Sequence, residues 1–313
     1  MRIFRSAAEV PAGFGPSAVT IGNFDGMHTG HRLIMRRILE MARHDGLTPT
    51  VLTFDPHPAR VVAPERAPKL LTPVEERCEW MGRSGIEQVL VLPFDSGVAR
   101  LSPEEFVKRI VVETLGAKIV LVGDNFRFGH KQSGDTRLLA ELGARYGFAT
   151  RIVEAIRMRG RVVSSSEVRR LVESGDVGMA CRLLKRPYAL TGEVVQGHGV
   201  GAKQVVPTLN LRVLGEVLPK RGVYITRTFD LDSARQWESI TNAGYRPTFG
   251  GDAELSIETF LLSMFEGAAP SRIRLEFLRR VREEKKFESP EALKAQIMRD
   301  VSRARAYFRR LAR

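Results

Sequence analysis

The stretch Ile21-Gly22-Asn23-Phe24-Asp25-Gly26-Met27-His28-Thr29-Gly30-His31 decides the reading of this 313-residue chain. The apolar run before it, Ala18 to Ile21, predicts a buried strand ending in a glycine-bearing turn, and the amphipathic pattern from about Gly30 to His44 predicts a helix. A helix start carries unpaired N–H groups and the positive end of the macrodipole, so His28 and His31, three residues apart, are expected to face an anion there. A nucleotide phosphate is the natural guest. An isolated H-x-x-H would carry little weight, because short motifs match without meaning. The longer pattern G-x-F-D-G-x-H-x-G-H carries more, since Gly22, Gly26 and Gly30 fall where backbone must approach a ligand.

Outward from this stretch the first half alternates. Strands are expected at Ala18 to Phe24, Thr50 to Phe54, Gln88 to Leu92, Ile119 to Gly123 and Phe148 to Val153, with helical patterns between them. Thr72-Pro73-Val74-Glu75 and Ser102-Pro103-Glu104-Glu105 both read as capping boxes with proline at the first helical position. Short apolar strands separated by amphipathic helices predict a parallel, doubly wound α/β sheet, whose ligands bind beyond the carboxyl ends of the strands. Two further loops follow strands: Thr53-Phe54-Asp55-Pro56-His57-Pro58, and Val122-Gly123-Asp124-Asn125-Phe126-Arg127-Phe128-Gly129-His130-Lys131. Their shared placement favours function over simple packing. In Val163-Ser164-Ser165-Ser166-Glu167-Val168-Arg169, the hydroxyls stand at a helix start, where they and Arg169 can hold phosphate oxygens.

After Lys185-Arg186-Pro187-Tyr188 the texture changes. Strand patterns at 189–195, 208–213, 222–229, 236–243, 255–262 and 272–278, without intervening helices, predict a small six-stranded antiparallel β-barrel sealed by a C-terminal helix. The boundary is expected near residue 186, giving domains 1–186 and 187–313. The barrel opens with a loop in which Gly197, Gly199 and Gly201, with Lys203 beside them, suit a phosphate. Thr208 and Asn210, two apart on a strand, share a face and offer hard oxygens suited to magnesium. Glu258 is an acid in a β-forming run, and a carboxylate at a barrel mouth could take the proton of a substrate hydroxyl.

The net charge is +13, and from Arg272 onward fourteen Lys and Arg stand against six Asp and Glu. This tail reads as a helix with a solvated basic face rather than a nucleic-acid surface. Leu293, Ile297, Val301, Ala304, Phe308 and Leu311 make one buried stripe behind a Ser289-Pro290 start. No apolar run reaches membrane-spanning length and no signal-peptide core precedes the first strand, so a cytoplasmic protein without membrane or nucleic-acid partners is expected. Cys78 and Cys181, the two cysteines, read as small buried apolar residues. The sequence is compatible with a homo-oligomer and does not specify one.

The motif at 22–31 resembles the H-x-G-H signature of nucleotidyltransferases with a Rossmann-like fold. With both halves read, the chain is similar over nearly its full length to the bifunctional riboflavin kinase and FMN adenylyltransferases, the bacterial FAD synthetases. The likeness rests on Gly22 to His31, Thr53 to Pro58, Val122 to Gly129, Ser164 to Arg169, Pro207-Thr208-Leu209-Asn210, Gly222-Val223-Tyr224, Asn242 to Phe249, Glu258 and Leu275-Glu276-Phe277. It implies ATP, riboflavin and FMN as substrates and Mg2+ with ATP. In the kinase half it implies ATP at Gly197, Gly199, Gly201 and Lys203, metal at Thr208 and Asn210, and Glu258 as base. In the adenylyltransferase half it implies ATP at Gly22, Asn23, Phe24, Gly26, His28, His31, Ser164, Ser165, Ser166 and Arg169, with Asn125 placing flavin or nucleotide. The family's usual kinase loop, G-R-x-L-G-F-P-T-A-N, is altered here to Gly201-Ala202-Lys203-Gln204-Val205-Val206-Pro207-Thr208-Leu209-Asn210. A kinase-inactive chain and a related nucleotidyltransferase with another phosphate acceptor are the competing readings.

Overall fold

The computed structural model describes residues 1–195, 208–213, 215–233, 235–247, 253–263 and 268–311. It divides into two compact units, Met1–Ser165 and Ser166–Arg313.

In the first unit, strands β1 (Arg2–Phe4), β2 (Ser17–Ile21), β3 (Thr48–Asp55), β4 (Gln88–Pro93), β5 (Ala117–Gly123) and β6 (Ala149–Val153) form one sheet in the order β1-β4-β3-β2-β5-β6, and every pairing is parallel. Helices α1 (Thr29–Asp45), α2 (Pro58–Val62), α3 (Val74–Arg83), α4 (Ser96–Arg100), α5 (Pro103–Phe106) and α6 (Thr136–Tyr146) connect them. The chain winds from β2 through β3 to β4 on one side, then passes to β5 and β6 on the other. The switch point therefore lies between β2 and β5. Both sheet faces are covered. Val19, Ile21, Leu52 and Leu90 pack with Phe106, Leu139 and Leu142, while Ala18, Val51, Val89 and Leu121 pack with Met35, Ile38, Cys78 and Met81. Thr20 Oγ1 donates to the Leu121 carbonyl at 2.8 Å, pinning β2 to β5 inside this apolar setting.

The expected strands and the helix from Gly30 are present, except that the strand expected to reach Phe24 ends at Ile21, because Phe24 turns into the left-handed region, and the edge strand β1 is an addition. Of the two expected capping boxes, that at Ser102 forms with both reciprocal bonds. The one at Thr72 does not. Pro73 occupies the cap position of α3, and the Thr72 hydroxyl instead serves Asp25 and the Gly26 N–H. A buried carboxylate needing donors outcompetes a helix end that water can satisfy.

A small hairpin of β7 (Arg157–Met158) and β8 (Arg161–Val162) precedes α7 (Ser165–Ser174) and α8 (Val177–Leu184). In the second unit, β9 (Tyr188–Val195), β10 (Thr208–Val213), β11 (Gly222–Asp230), β12 (Gln236–Pro247), β13 (Ala253–Leu261) and β14 (Arg272–Arg282) close an antiparallel barrel in the order β10-β13-β12-β11-β14-β9. Leu190, Leu209, Leu211, Ile257, Leu275 and Phe277 fill its interior, together with a ladder of bonded hydroxyls from Thr226, Thr228, Ser239, Thr241 and Thr259. Helix α9 (Pro290–Leu311) lays Val301, Ala304 and Phe308 on Val223, Ile225 and Ile240 outside the barrel. Ser289 caps it as expected, its hydroxyl accepting the Ala292 N–H. The expected stripe is buried only at Val301, Ala304 and Phe308, and Leu293 and Leu311 are exposed. Cys78 and Cys181 lie in α3 and α8, and burial pushes both thiols up, away from the reactive thiolate.

Candidate active sites

The loop after β2 leads straight into α1, at the switch point of the sheet, where doubly wound folds bind ligands. Within it Phe24, Gly26 and Met27 all have positive φ, of 50°, 78° and 42°. Two non-glycine residues in the left-handed region are held there by burial of both side chains, Phe24 and Met27, in the core under α1. Asp25 anchors the turn: its carboxylate accepts the N–H groups of Leu71 and Thr72 and the Thr72 hydroxyl, while Gly26 N–H donates to that hydroxyl at 3.0 Å. Ser165 Oγ donates to the Asp25 carbonyl at 2.9 Å, which ties the hydroxyl-rich segment to the same turn.

His28 is the N-cap of α1, and the rings of His28 and His31 stack with centroids 3.6 Å apart. Gly30 makes this arrangement feasible, because a Cβ there would come within 3.1 Å of the His28 ring. Phe24 meets His31 edge-on at 5.2 Å. Desolvation first, then the charges of His28 and Arg77, hold the His31 imidazole well below its ordinary pKa of 6.5, so it is neutral at physiological pH. Asn23 Nδ2 lies 3.0 Å from His57 Nε2, and His57 in turn caps α2. Asn23 Oδ1 and His31 Nδ1 are buried without a partner among the described residues. Gly22 lies under the Phe24 ring.

Of the expected residues, Gly22, Asn23, Phe24, Gly26, His28, His31 and Ser165 thus gather in or on one turn. Phe24 is buried in the core and offers this site its backbone and the ring contact to His31. Ser164 is half-buried just before α7, whereas Ser166, which is exposed, and Arg169, which is half-buried, belong to the second unit. Asn125 is exposed on the loop after β5, across the switch point from the histidines. His57 and Arg77 also bond to Asn23 in this turn, and neither is among the residues that the sequence predicts for the site. The Asp55-Pro56-His57-Pro58 loop at a strand end is the signal for His57, and no local pattern marks Arg77.

On the barrel, strand pairing puts Asn210 of β10 opposite Glu258 of β13, and Glu258 opposite Asn242 of β12, while Thr208 pairs with Phe260. Ile257 and Thr259 are buried inside, so Glu258 takes the outer face, with Phe260, beside the patch that α9 covers. It is not in the barrel lumen. Ser256 Oγ donates to Glu258 Oε1 at 3.2 Å. Thr208, Asn210 and Glu258 therefore share one outer surface, and their hydroxyl, amide and carboxylate oxygens are the hard donors that magnesium takes in small number when phosphates and water supply the rest. Gly197, Gly199, Gly201 and Lys203 lie outside the described residues.

Two stacked histidines at the helix start, on the switch point of a doubly wound sheet and in one chain with a small closed barrel, define a two-part nucleotide transferase. The FAD synthetase family model matches residues 12–167 and the riboflavin kinase family model residues 184–308. The bifunctional riboflavin kinase/FMN adenylyltransferase of Pseudomonas fluorescens is 37% identical over 287 residues, covering 92% of this chain and 91% of the relative. That of Escherichia coli strain K12 is 34% identical, covering 93% and 92%. A crystal structure described as a macrolide-efflux protein from Streptococcus pneumoniae superposes with a TM-score of 0.86 at 26% identity, over 97% of this chain and 98% of that one. The chain belongs to the bifunctional riboflavin kinase/FMN adenylyltransferase family. Among its described residues no helix is long and apolar enough to cross a membrane.

Proposed function

We propose that the chain makes FAD from riboflavin in two steps, the kinase step in 187–313 and the adenylylation in 1–186. In the first, the 5′-hydroxyl of riboflavin attacks the γ-phosphorus of ATP, giving FMN and ADP. Glu258 accepts the hydroxyl proton, and Thr208 and Asn210 would hold, through their oxygens, a magnesium ion whose charge would offset that of the phosphates. Gly197, Gly199, Gly201 and Lys203 hold the nucleotide of this step. In the second, a phosphate oxygen of FMN attacks the α-phosphorus of another ATP and pyrophosphate leaves. No side-chain nucleophile is needed. The rate comes from orientation and from stabilising charge on the phosphates, the work of His28, His31, the N–H groups opening α1, Ser164 to Ser166 and Arg169. Asn125, across the switch point, places the flavin or nucleotide.

The stacked His28 and His31 at the head of α1 carry the adenylyltransferase assignment. Two incubations test the whole: riboflavin with ATP and magnesium, then FMN with ATP and magnesium, with products separated by chromatography. FMN followed by FAD is expected in the first and FAD in the second. Absence of both products would refute the proposal. FAD from FMN alone, with riboflavin untouched, would leave only the second step, the reading that the altered loop at 201–206 favours. A homo-oligomer would be seen in the sedimentation of the same sample.

A further inference from the structure

Behind the His28 turn, on α3, lies Arg77, 1% exposed and among the largest fully buried side chains of the molecule. One guanidinium nitrogen, Nη1, donates to the backbone carbonyl of Asn23 and lies 3.4 Å from Thr53 Oγ1. Nε and Nη2 are buried with no hydrogen-bond partner among the described residues, and although the charges of Asp25 and Asp55 favour the cation, desolvation outweighs them and lowers the Arg77 pKa. Asp25, the acid nearest in the motif, directs its oxygens to Leu71 and Thr72 instead. A buried cation left without a counter-ion is destabilising. The same turn buries two more orphaned polar atoms, Asn23 Oδ1 and His31 Nδ1. Of these groups the Arg77 nitrogens are donors that an anion would satisfy, whereas Asn23 Oδ1 is an acceptor that calls for a donor, so the orphaned charge of Arg77 is what points to an anion at this turn.

We propose that Arg77 is a positioning residue for adenylyl transfer, its guanidinium clamping the Asn23 peptide while its unpaired charge attracts the triphosphate of ATP to the turn. The inference rests on the reading of this turn as the ATP site. In a poorly solvated setting a fixed charge acts over a longer distance than in water and needs no reorganisation when the anion arrives. The Asn23 carbonyl has a second, longer contact from Thr53 Oγ1, at 3.4 Å, so loss of the clamp is expected to be tolerated in folding. Removing the charge therefore leaves no new orphan and relieves an existing one.

The test uses FMN adenylylation by the full chain, with FMN and ATP supplied and FAD measured, so that the kinase step does not intervene. Arg77→Met is expected to lower kcat/KM for ATP at least tenfold while the ligand-free protein melts at or above the temperature of the unaltered one. Arg77→Lys, which keeps the charge and loses the fork, is expected to stay within threefold. An R77M chain with unaltered kcat/KM overturns the proposal, as does an R77K chain that falls as far as R77M. An R77M chain that melts lower or fails to fold assigns Arg77 to the frame and overturns it as well. His28→Ala separates the two levels. If H28A lowers kcat/KM and R77M does not, ATP binds at this turn without Arg77, and if neither does, ATP binds elsewhere.

Discussion

The Nδ1 atom of His28 accepts the backbone N–H of His31 at 3.3 Å, which fixes the His28 ring in the tautomer with its proton on Nε2. One bond thus caps α1 and decides which nitrogen of the His28 ring is the donor.

That donor is expected to matter for one reaction only. His28→Ala should lower kcat/KM for FAD formation from FMN by about 10²- to 10³-fold, the usual cost of a lost donor to developing negative charge. It should leave FMN formation from riboflavin unchanged. Glu258→Gln should do the reverse, with a loss of about 10²- to 10⁴-fold in the kinase step alone. Parallel product assays of the two variants check this, and loss of both reactions from either change would contradict two separate sites.

The stacked pair also sets a pH dependence. His31 titrates near 6.5 in the unfolded chain and well below that in the native one, chiefly through desolvation and then through His28 and Arg77. The unfolded state therefore binds the extra proton first. Stability contributed by neutral His31 is complete above about pH 7 and is lost as pH falls from 6.5 towards the native value, with a slope of up to about 1.4 kcal/mol per pH unit. Melting temperatures between pH 7 and pH 5 should fall, and His31→Gln should flatten that fall.

Asp25 makes the same turn a matter of stability. It accepts two backbone N–H groups and a hydroxyl while 2% exposed. Asp25→Asn keeps the shape and sets an amide N–H against those donors, at an expected cost of about 1–3 kcal/mol. Thr72→Val, which takes the acceptor from the Gly26 N–H, should cost about as much again, and the two together less than their sum, because they share one network. Urea titrations of the three variants measure it.

What the sequence makes legible follows from how local each cause is. The alternation along Thr208–Val213 or Gly222–Asp230 and the apolar block Ser17–Ile21 are short-range patterns, and the strands appear where those patterns lie. The three-residue β1 is too short to carry a period, and it exists because the exposed flank of β4 accepts it. The turn's histidines and glycines are legible because their chemistry is carried by neighbours in the chain. Arg77 is not: within Glu75-Glu76-Arg77-Cys78-Glu79 it looks like one more solvated helical charge. Its burial depends on Asn23 and Thr53, more than twenty residues away in each case. The capping pattern at Thr72 misleads for the same reason, since Asp25 competes for its hydroxyl from across the fold.

The attachment of α9 to the barrel gives a last measurable outcome. Arg282 Nε on β14 meets Asp300 Oδ2 on α9 at 2.8 Å, with the two side chains 14% and 3% exposed, and Gln296 donates to the other carboxylate oxygen. The apolar seam beside this pair, Val301, Ala304 and Phe308 on Val223, Ile225 and Ile240, would hold the helix in any case, so the pair's role is to fix its register. Arg282→Met leaves Asp300 buried with one neutral donor and should cost about 3 kcal/mol, as breaking a buried pair does. Arg282→Met with Asp300→Leu removes both charges and should recover most of that loss. The buried Trp237 on β12 reports the barrel. In a Trp80→Phe background its fluorescence during urea unfolding should show a lower midpoint for the single variant and a midpoint near the parent's for the double. Equal losses in both would mean that the charges matter less here than the packing of the arginine stem against Phe287, whose ring lies 5.7 Å from the guanidinium.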